Sequence, residues 1–295
     1  MFPIAMSGNV FGLTADSEAA HAILDTYVSQ GGNFVDTADS YGEGESESII
    51  GGWMQERANR SEIVVATKVG KSLENPGLGT VAVRRSVEAS LRRLRTGHID
   101  LLYLHIDDTS VDFEETLLAV DELIRAGKVR YFGGSDHTGN RLIEARIASA
   151  QLGVAPMVAL QNQYNLMHRA EYEGGLAHVA RQQGLGVMPR FALASGFLTG
   201  KYRSKADLQR SERGGELGRH LTRRGLRVLA SLDKIAAHHD TTPASVALAW
   251  LLTKPLVAAT VVSASQPDQV IDLTASASIQ LSRSQITELD RVSAV

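Results

Sequence analysis

Residues 33–52, NFVDTADSYGEGESESIIGG, carry the strand-to-helix turn on which the reading of the fold rests. A short apolar run, Phe34 and Val35, ends on the charge of Asp36. Asp39, Tyr41, Gly42 and Gly44 then crowd into a Gly/Ser-rich turn, and residues 45–54 have the composition of a helix. A carboxylate at the end of a buried strand is costly unless a cation or hydrogen-bond donors meet it. The stretch therefore predicts one βα unit and poses the question of which cation Asp36 meets.

Outward from it, short apolar runs recur at 2–6, 33–35, 63–67, 99–104, 129–132, 157–160, 186–188 and 256–262. The early and middle runs are spaced by roughly 30 residues, the length of a βαβ unit. Amphipathic stretches fill the gaps. Ile23, Leu24, Tyr27 and Val28 share a helical face, with Gly31 placed as a cap; Val83, Val87, Leu91 and Leu94 repeat the pattern. Runs alternating with helices and no linker-like break predict a single (β/α)8 barrel over residues 1–295. A doubly wound sheet is the rival, but no GxGxxG follows any strand. Residues 201–225 break the rhythm: they are charged, contain Gly214, Gly215 and Gly218, and show no periodic face. A loop of that length is read as a flexible lid or cofactor clasp, with a plain surface insertion as the alternative.

Composition narrows the function classes. Hydrophobic residues make up 43% and charged residues 21%, as in ordinary globular proteins, and the net charge is −3. The most basic segment, 219–227, is too short and mixed for a nucleic-acid surface. The absence of cysteine excludes disulfides and thiolate metal sites. The nine histidines show no metal-ligand spacing. No apolar run approaches the roughly 20 residues of a membrane span, and residues 1–6 do not read as a signal peptide. A cytoplasmic, small-molecule protein is the expectation.

In such a barrel the chemistry lies at the C-terminal ends of the strands. Those ends carry Asp36 with Tyr41 in its loop, then Lys68, His105, Ser135 with Asp136, and Gln161. Each alone has a bland reading as a solvated lysine, a structural histidine or a surface tyrosine. Together they are chemically complementary. Asp36 and Lys68 can neutralise each other, and an ammonium beside a phenol, whose usual pKa is near 10, eases release of its proton. His105 supplies a second donor for a substrate oxygen. Phenol and imidazole aimed at one oxygen suit carbonyl polarisation, and no side chain supplies a hydride, so the reductive reading requires a nicotinamide cofactor. A Schiff-base role for Lys68 is disfavoured, because an ion-paired lysine stays protonated.

These motifs resemble the aldo-keto reductase superfamily over nearly the whole chain. NFVDTADSYGEGESESIIG is similar to its second-strand signature, IVVATK to its lysine strand, and LLYLHIDD to its histidine strand; ALQNQYNL and ALASGFLTGKY resemble later cofactor-binding segments. The resemblance implies NADPH-dependent reduction of an aldehyde or ketone by a tetrad falling on Asp36, Tyr41, Lys68 and His105, with Tyr41 as proton donor. It implies that Ser135, Asp136 and Gln161 hold the nicotinamide carboxamide, and that Leu193, Ser195, Gly196 and Lys201 wrap the pyrophosphate. The adenosine end falls on Ser263, Ser265, Gln269 and Asp272.

Four departures from the resemblance are visible. Asp136 stands for an asparagine, and Arg190 stands where an aromatic residue would stack on the nicotinamide. A guanidinium can still stack there by its plane, though over a cationic oxidised nicotinamide it should disfavour NADP+ relative to NADPH. No arginine fork is present for a 2′-phosphate, which leaves NADH open as cofactor. The chain also begins almost at its first strand, without the hairpin expected at the barrel floor, which a trimmed start or a mis-assigned initiator would explain. Phe11, Trp53, Asp107, Asp108 and His137 are candidate substrate contacts. A nucleotide-sensing protein with slow turnover, like the potassium-channel β-subunits of the superfamily, is the alternative function.

Overall fold

The computed structural model of the chain describes residues 1–208 and 217–294. Eight parallel strands form its centre: β1 (Ile4–Ser7), β2 (Phe34–Asp36), β3 (Val64–Val69), β4 (Ile99–Leu104), β5 (Val129–Ser135), β6 (Ala159–Gln163), β7 (Gly186–Arg190) and β8 (Thr260–Val262). They follow one another in sheet order from β1 to β7, and β8 pairs with β1. The ring closes where the Val187 amide donates to Leu256 O at 2.8 Å and the Ala258 amide to Val187 O at 2.9 Å, just ahead of β8. This is the (β/α)8 barrel expected from the alternation of apolar runs and helices. Strand bounds differ from expectation by a few residues; β5 runs on to Ser135 because Gly133 and Gly134 continue its pairing with β4 and β6.

Helices α1 (Ser17–Ser29), α2 (Glu45–Arg57), α3 (Thr80–Arg93), α4 (Phe113–Arg125), α5 (Gly139–Leu152), α6 (Ala177–Gln183), α7 (Arg223–His238), α8 (Pro243–Leu252), α9 (Pro267–Ala275) and α10 (Arg283–Val292) surround the strands. Their ends follow local rules. Asp16 caps α1 by accepting from the Ala19 amide at 2.9 Å, and Thr242 caps α8 ahead of Pro243. Tyr27 on α1 reaches the sheet, donating to Ile4 O at 2.5 Å and accepting from the Phe34 amide at 3.0 Å. Of the 201–225 segment, Lys205–Leu208 form one helical turn and α7 starts at Arg223; residues 209–216 lie outside the described residues, so the lid reading is untested there.

Alternation along the strands explains where the polar groups sit. Ala5, Phe34, Ala66, Tyr103, Ala159, Met188 and Val261 pack in one buried cluster inside the barrel. Residues two apart on a strand face the same side. The next inward position on these strands, toward their C-terminal ends, is therefore Ser7, Asp36, Lys68, His105, Gln161, Arg190 and Ser263. The apolar layer forms the floor, and the polar layer above it lines the mouth.

Candidate active site

The sequence around Tyr41 builds a tight support for the mouth. Between β2 and α2, Tyr41–Gly44 turn as a short 3-10 segment with φ of 56° at Gly42 and 93° at Gly44, geometry that glycine adopts without strain. The Ser46 hydroxyl donates to Gly8 O and bonds Thr37 Oγ1, each at 2.8 Å, tying the start of α2 to the ends of β1 and β2. Buried Glu47 accepts from Thr67 Oγ1 at 2.5 Å and from Arg93 Nε at 2.7 Å, tying α2 to β3 and α3.

Above the apolar floor, the cation that Asp36 meets is Lys68. Its Nζ donates to Asp36 Oδ2 at 2.6 Å, to Thr37 O at 2.8 Å and to the Tyr41 hydroxyl at 3.4 Å, with the Lys68 side chain 1% exposed. Burial lowers the Lys68 pKa, but Asp36 and Tyr41 more than offset this, so it lies above the ordinary value and the ammonium keeps its charge. Tyr41 and His105 meet edge to face with ring centroids 6.0 Å apart. Burial, followed by the charges of Lys68, Lys71 and Arg190, pushes His105 down to about 2. Its imidazole is therefore neutral and can present one N–H donor. Acid, ammonium, phenol and imidazole converge, although Asp36 and His105 lie far apart in the chain.

Beyond this group the mouth continues over β5 to β8. Ser135 is buried at the end of β5. Gln161 on β6 donates through Nε2 to Asp36 Oδ1 at 2.9 Å. Asp136, in left-handed geometry with φ 57°, donates its backbone N–H to Gln161 O at 3.0 Å. Its carboxylate takes Arg190 Nη2 in a fork, 2.8 Å to each oxygen, with Nε at 3.1 Å. The two departures noted in the sequence thus form one ion pair, arching over the end of β6. The Asp136 carboxylate balances the charge of the Arg190 guanidinium.

Leu193, Ser195 and Gly196 lie on the turn after β7, where Ser195 has φ 57° and Gly196 99°, and Lys201 is exposed just beyond. Ser263 follows β8, and the Ser265 amide donates to Gln269 Oε1 at 3.0 Å, so this hydroxyl and amide group is preassembled. Asp272 is exposed on α9, and its backbone O accepts from the Ser245 hydroxyl at 2.7 Å.

The expected substrate contacts have partners within the protein or are buried. Phe11 is fully buried. Trp53 is also buried and donates to Asp25 Oδ1 at 2.8 Å, between α2 and α1. His137 is only 2% exposed, bonds Ser135 O through Nδ1 at 2.9 Å and packs edge-on against Phe113, so it is not a surface group. Asp107 is held by Arg141 Nε at 2.8 Å, and Asp108 accepts from the Leu78 and Ser110 amides. Lys71 escaped the sequence reading, and Asp39, noted in the turn after Asp36, was given no role there although it is buried. Position alone marked both, since each lies three residues past a tetrad position, Lys68 or Asp36, but it did not reveal their surroundings.

Among the described residues no group of three or more His, Asp or Glu could hold a metal ion, and no helix is long and apolar enough to cross a membrane. Comparison with known proteins adds the decisive observation, because the pattern of the Aldo/keto reductase family matches residues 6–294. The chain belongs to the aldo/keto reductase family. An oxidoreductase of Bacillus subtilis is 33% identical across 96% of this chain and 89% of its own length. Norsolorinic acid reductase B of Aspergillus parasiticus is 31% identical across 96% of this chain and 76% of its own. A Schizosaccharomyces pombe protein named for a voltage-gated potassium channel β subunit is 33% identical over 81% of this chain and 73% of its own length. Aldo/keto reductases are oxidoreductases that generally use NAD(P)H on carbonyl groups.

Proposed function

We propose that this aldo/keto reductase reduces an aldehyde or ketone to the alcohol, with NADPH as hydride donor and Tyr41 as proton donor. The observation that carries this reading is the three-way contact of Lys68 Nζ with Asp36 Oδ2 at 2.6 Å, Thr37 O at 2.8 Å and the Tyr41 hydroxyl at 3.4 Å. NADPH, when bound, supplies the hydride that the side chains lack. The protein's own groups handle the oxygen. The substrate carbonyl oxygen accepts hydrogen bonds from the Tyr41 hydroxyl and the neutral His105 N–H, which polarise its C=O bond. As the carbonyl carbon gains hydride, its oxygen takes the Tyr41 proton. The resulting phenolate faces the Lys68 ammonium, whose charge is held in place by Asp36, and solvent later returns the proton.

The residues over β5 to β8 fit a dinucleotide by the chemistry of their donors. Ser135 and Gln161 offer hydrogen bonds to an amide, and the Asp136–Arg190 pair offers a planar floor. The turn bearing Leu193, Ser195 and Gly196, with Lys201, offers backbone amides and one cation for a pyrophosphate. Ser263, Ser265, Gln269 and Asp272 offer hydroxyls, an amide and a carboxylate to the adenosine end, without a guanidinium. That donor set accepts NADH as well as NADPH.

The test is oxidation of NADPH and of NADH with a panel of aldehydes and ketones, comparing wild type with Tyr41→Phe. The variant should lose about 10²-fold or more in kcat/KM, the usual cost of removing a general acid, while nucleotide affinity holds. Equal rates in the two proteins reject the phenol as proton donor. The match to a protein named for a potassium-channel β subunit favours a second reading, a nucleotide-holding sensor. Nucleotide retained through purification with negligible turnover on the whole panel would select it.

A further inference from the structure

Lys68 and Lys71 at the end of β3 and Arg190 at the end of β7 bring three cations to the mouth, and two of them are ion-paired among the described residues. Lys68 is bonded to Asp36 and Arg190 to Asp136. Lys71, two residues past the end of β3, is exposed and makes no hydrogen bond or ion pair with any described residue. The other carboxylates of the neighbouring loop are committed, Asp107 to Arg141 and Asp108 to the amides of Leu78 and Ser110. Lys71 still acts on this site: its charge helps hold His105 neutral, and it feels Asp136, Arg190 and Lys68 in turn.

The base of its loop is fixed. The Gly77 amide donates to Gly70 O at 3.0 Å, closing the loop, and Gly70 has φ 114° where a Cβ would lie 2.9 Å from Leu78. Exposed apolar side chains stand on three loops of the same face. Leu13 after β1, Leu73 after β3 and Phe191 after β7 are 67%, 85% and 45% exposed, each on a loop leaving the C-terminal end of a strand. Arg190 lies 4.8 Å from the centre of the Phe191 ring.

We propose that Lys71 binds an anionic substituent of the carbonyl substrate, so that the mouth selects aldehydes or ketones carrying a carboxylate on an apolar body. The inference rests on the carbonyl-reductase reading above. A single unpaired ammonium matches a singly charged carboxylate better than a phosphate dianion. The carbonyl oxygen meets Tyr41 and His105, the carboxylate meets Lys71, and the apolar body lies against the rim.

The test compares 4-carboxybenzaldehyde with its neutral carboxamide, 4-formylbenzamide, on wild type, Lys71→Met and Lys71→Arg. Wild type should favour the acid about tenfold in kcat/KM, carried by KM and shrinking as salt rises, as for an exposed charge pair. Lys71→Met should bring the two substrates within about twofold of each other, and Lys71→Arg should keep the preference. Equal efficiency in wild type, or a preference that survives Lys71→Met, overturns the proposal. Calorimetric titration of the product acid, 4-(hydroxymethyl)benzoate, and of its amide into nucleotide-loaded protein reads the same contact without turnover. If neither aldehyde is reduced, the reductase reading fails. The anion site then stands only if the acid binds about tenfold more tightly than the amide to wild type and not to Lys71→Met.

Discussion

Asp39 lies three residues past Asp36 and is buried. Burial first, then the neighbouring Glu47 carboxylate, pushes its pKa up to about 7, with Arg93 opposing. The unfolded carboxyl titrates near 3.8. Between those values the unfolded chain releases a proton that the folded chain keeps, so stability falls as pH rises through that window. The contribution is fully present below the unfolded value and lost above the folded one. Asp39→Asn removes this titration while keeping the shape. Melting curves from pH 5 to 8 should therefore show a flatter decline for the variant and a Tm at pH 8 several degrees above wild type. A wild-type Tm that rises between pH 5 and 8, or a variant less stable at pH 8, contradicts this. By contrast, the Asp36–Lys68 pair was legible in the sequence, because an acid and an ammonium ending adjacent predicted strands have one inexpensive arrangement in a buried mouth. Asp39 was not, since its environment depends on Glu47 and Arg93 arriving from α2 and α3.

The helix that follows the Tyr41 turn shows how closely elements must approach to hold it. Gly51 and Gly52 are adjacent in α2, yet a Cβ on Gly51 would lie 2.2 Å from Arg93 O and 2.7 Å from Leu94 C, both backbone atoms, while one on Gly52 meets nothing within 4 Å. Backbone cannot yield as a flexible side chain can. Gly51→Ala should push α2 from the end of α3 and destabilise the protein by about 1–3 kcal/mol, the range for overpacked sites. Gly52→Ala should stabilise it by up to about 1 kcal/mol, the helix-interior difference between glycine and alanine. Urea unfolding of the two variants separates them, and equal effects would remove the close approach from the account. The strands and most helices were readable from period and spacing, because burial on one face imposes a pattern on the residues themselves. Close approaches such as Gly51 to Arg93 leave no such pattern. The same is true of the Asp136–Arg190 fork, whose partners are 54 positions apart and end strands separated by β6.

Across the whole barrel the mouth divides into two arcs. The ends of β2, β3 and β4 carry the charged group centred on Lys68, while those of β5 to β8 carry mostly hydroxyls, amides and one internally balanced ion pair. Gln161, 125 positions from Asp36, joins the arcs by bonding its carboxylate. The first arc was legible because its residues differ in charge and complement one another. Of the second, Ser135, Asp136 and Gln161 were placed as strand ends, and the rest was legible only through resemblance, because neutral donors in loops carry little chemical signature by themselves. That neutrality has a consequence for the proposed cofactor. A 2′-phosphate gains most from a guanidinium fork, and the group after β8 offers Ser263, Ser265 and Gln269 with Asp272 exposed on the same helix. NADPH and NADH should therefore differ by no more than about tenfold in dissociation constant, because no paired cation supplies the tenfold per 1.4 kcal/mol that a strong preference needs. Gln269→Arg would place a guanidinium in this group and should raise the NADPH preference by about tenfold, with NADH affinity little changed. Fluorescence titration of both reduced nucleotides into wild type and variant measures the two ratios. A wild-type preference of a thousandfold for NADPH would mean that a cation outside this group reaches the 2′-phosphate, and would move the adenosine end away from Ser263, Ser265 and Gln269.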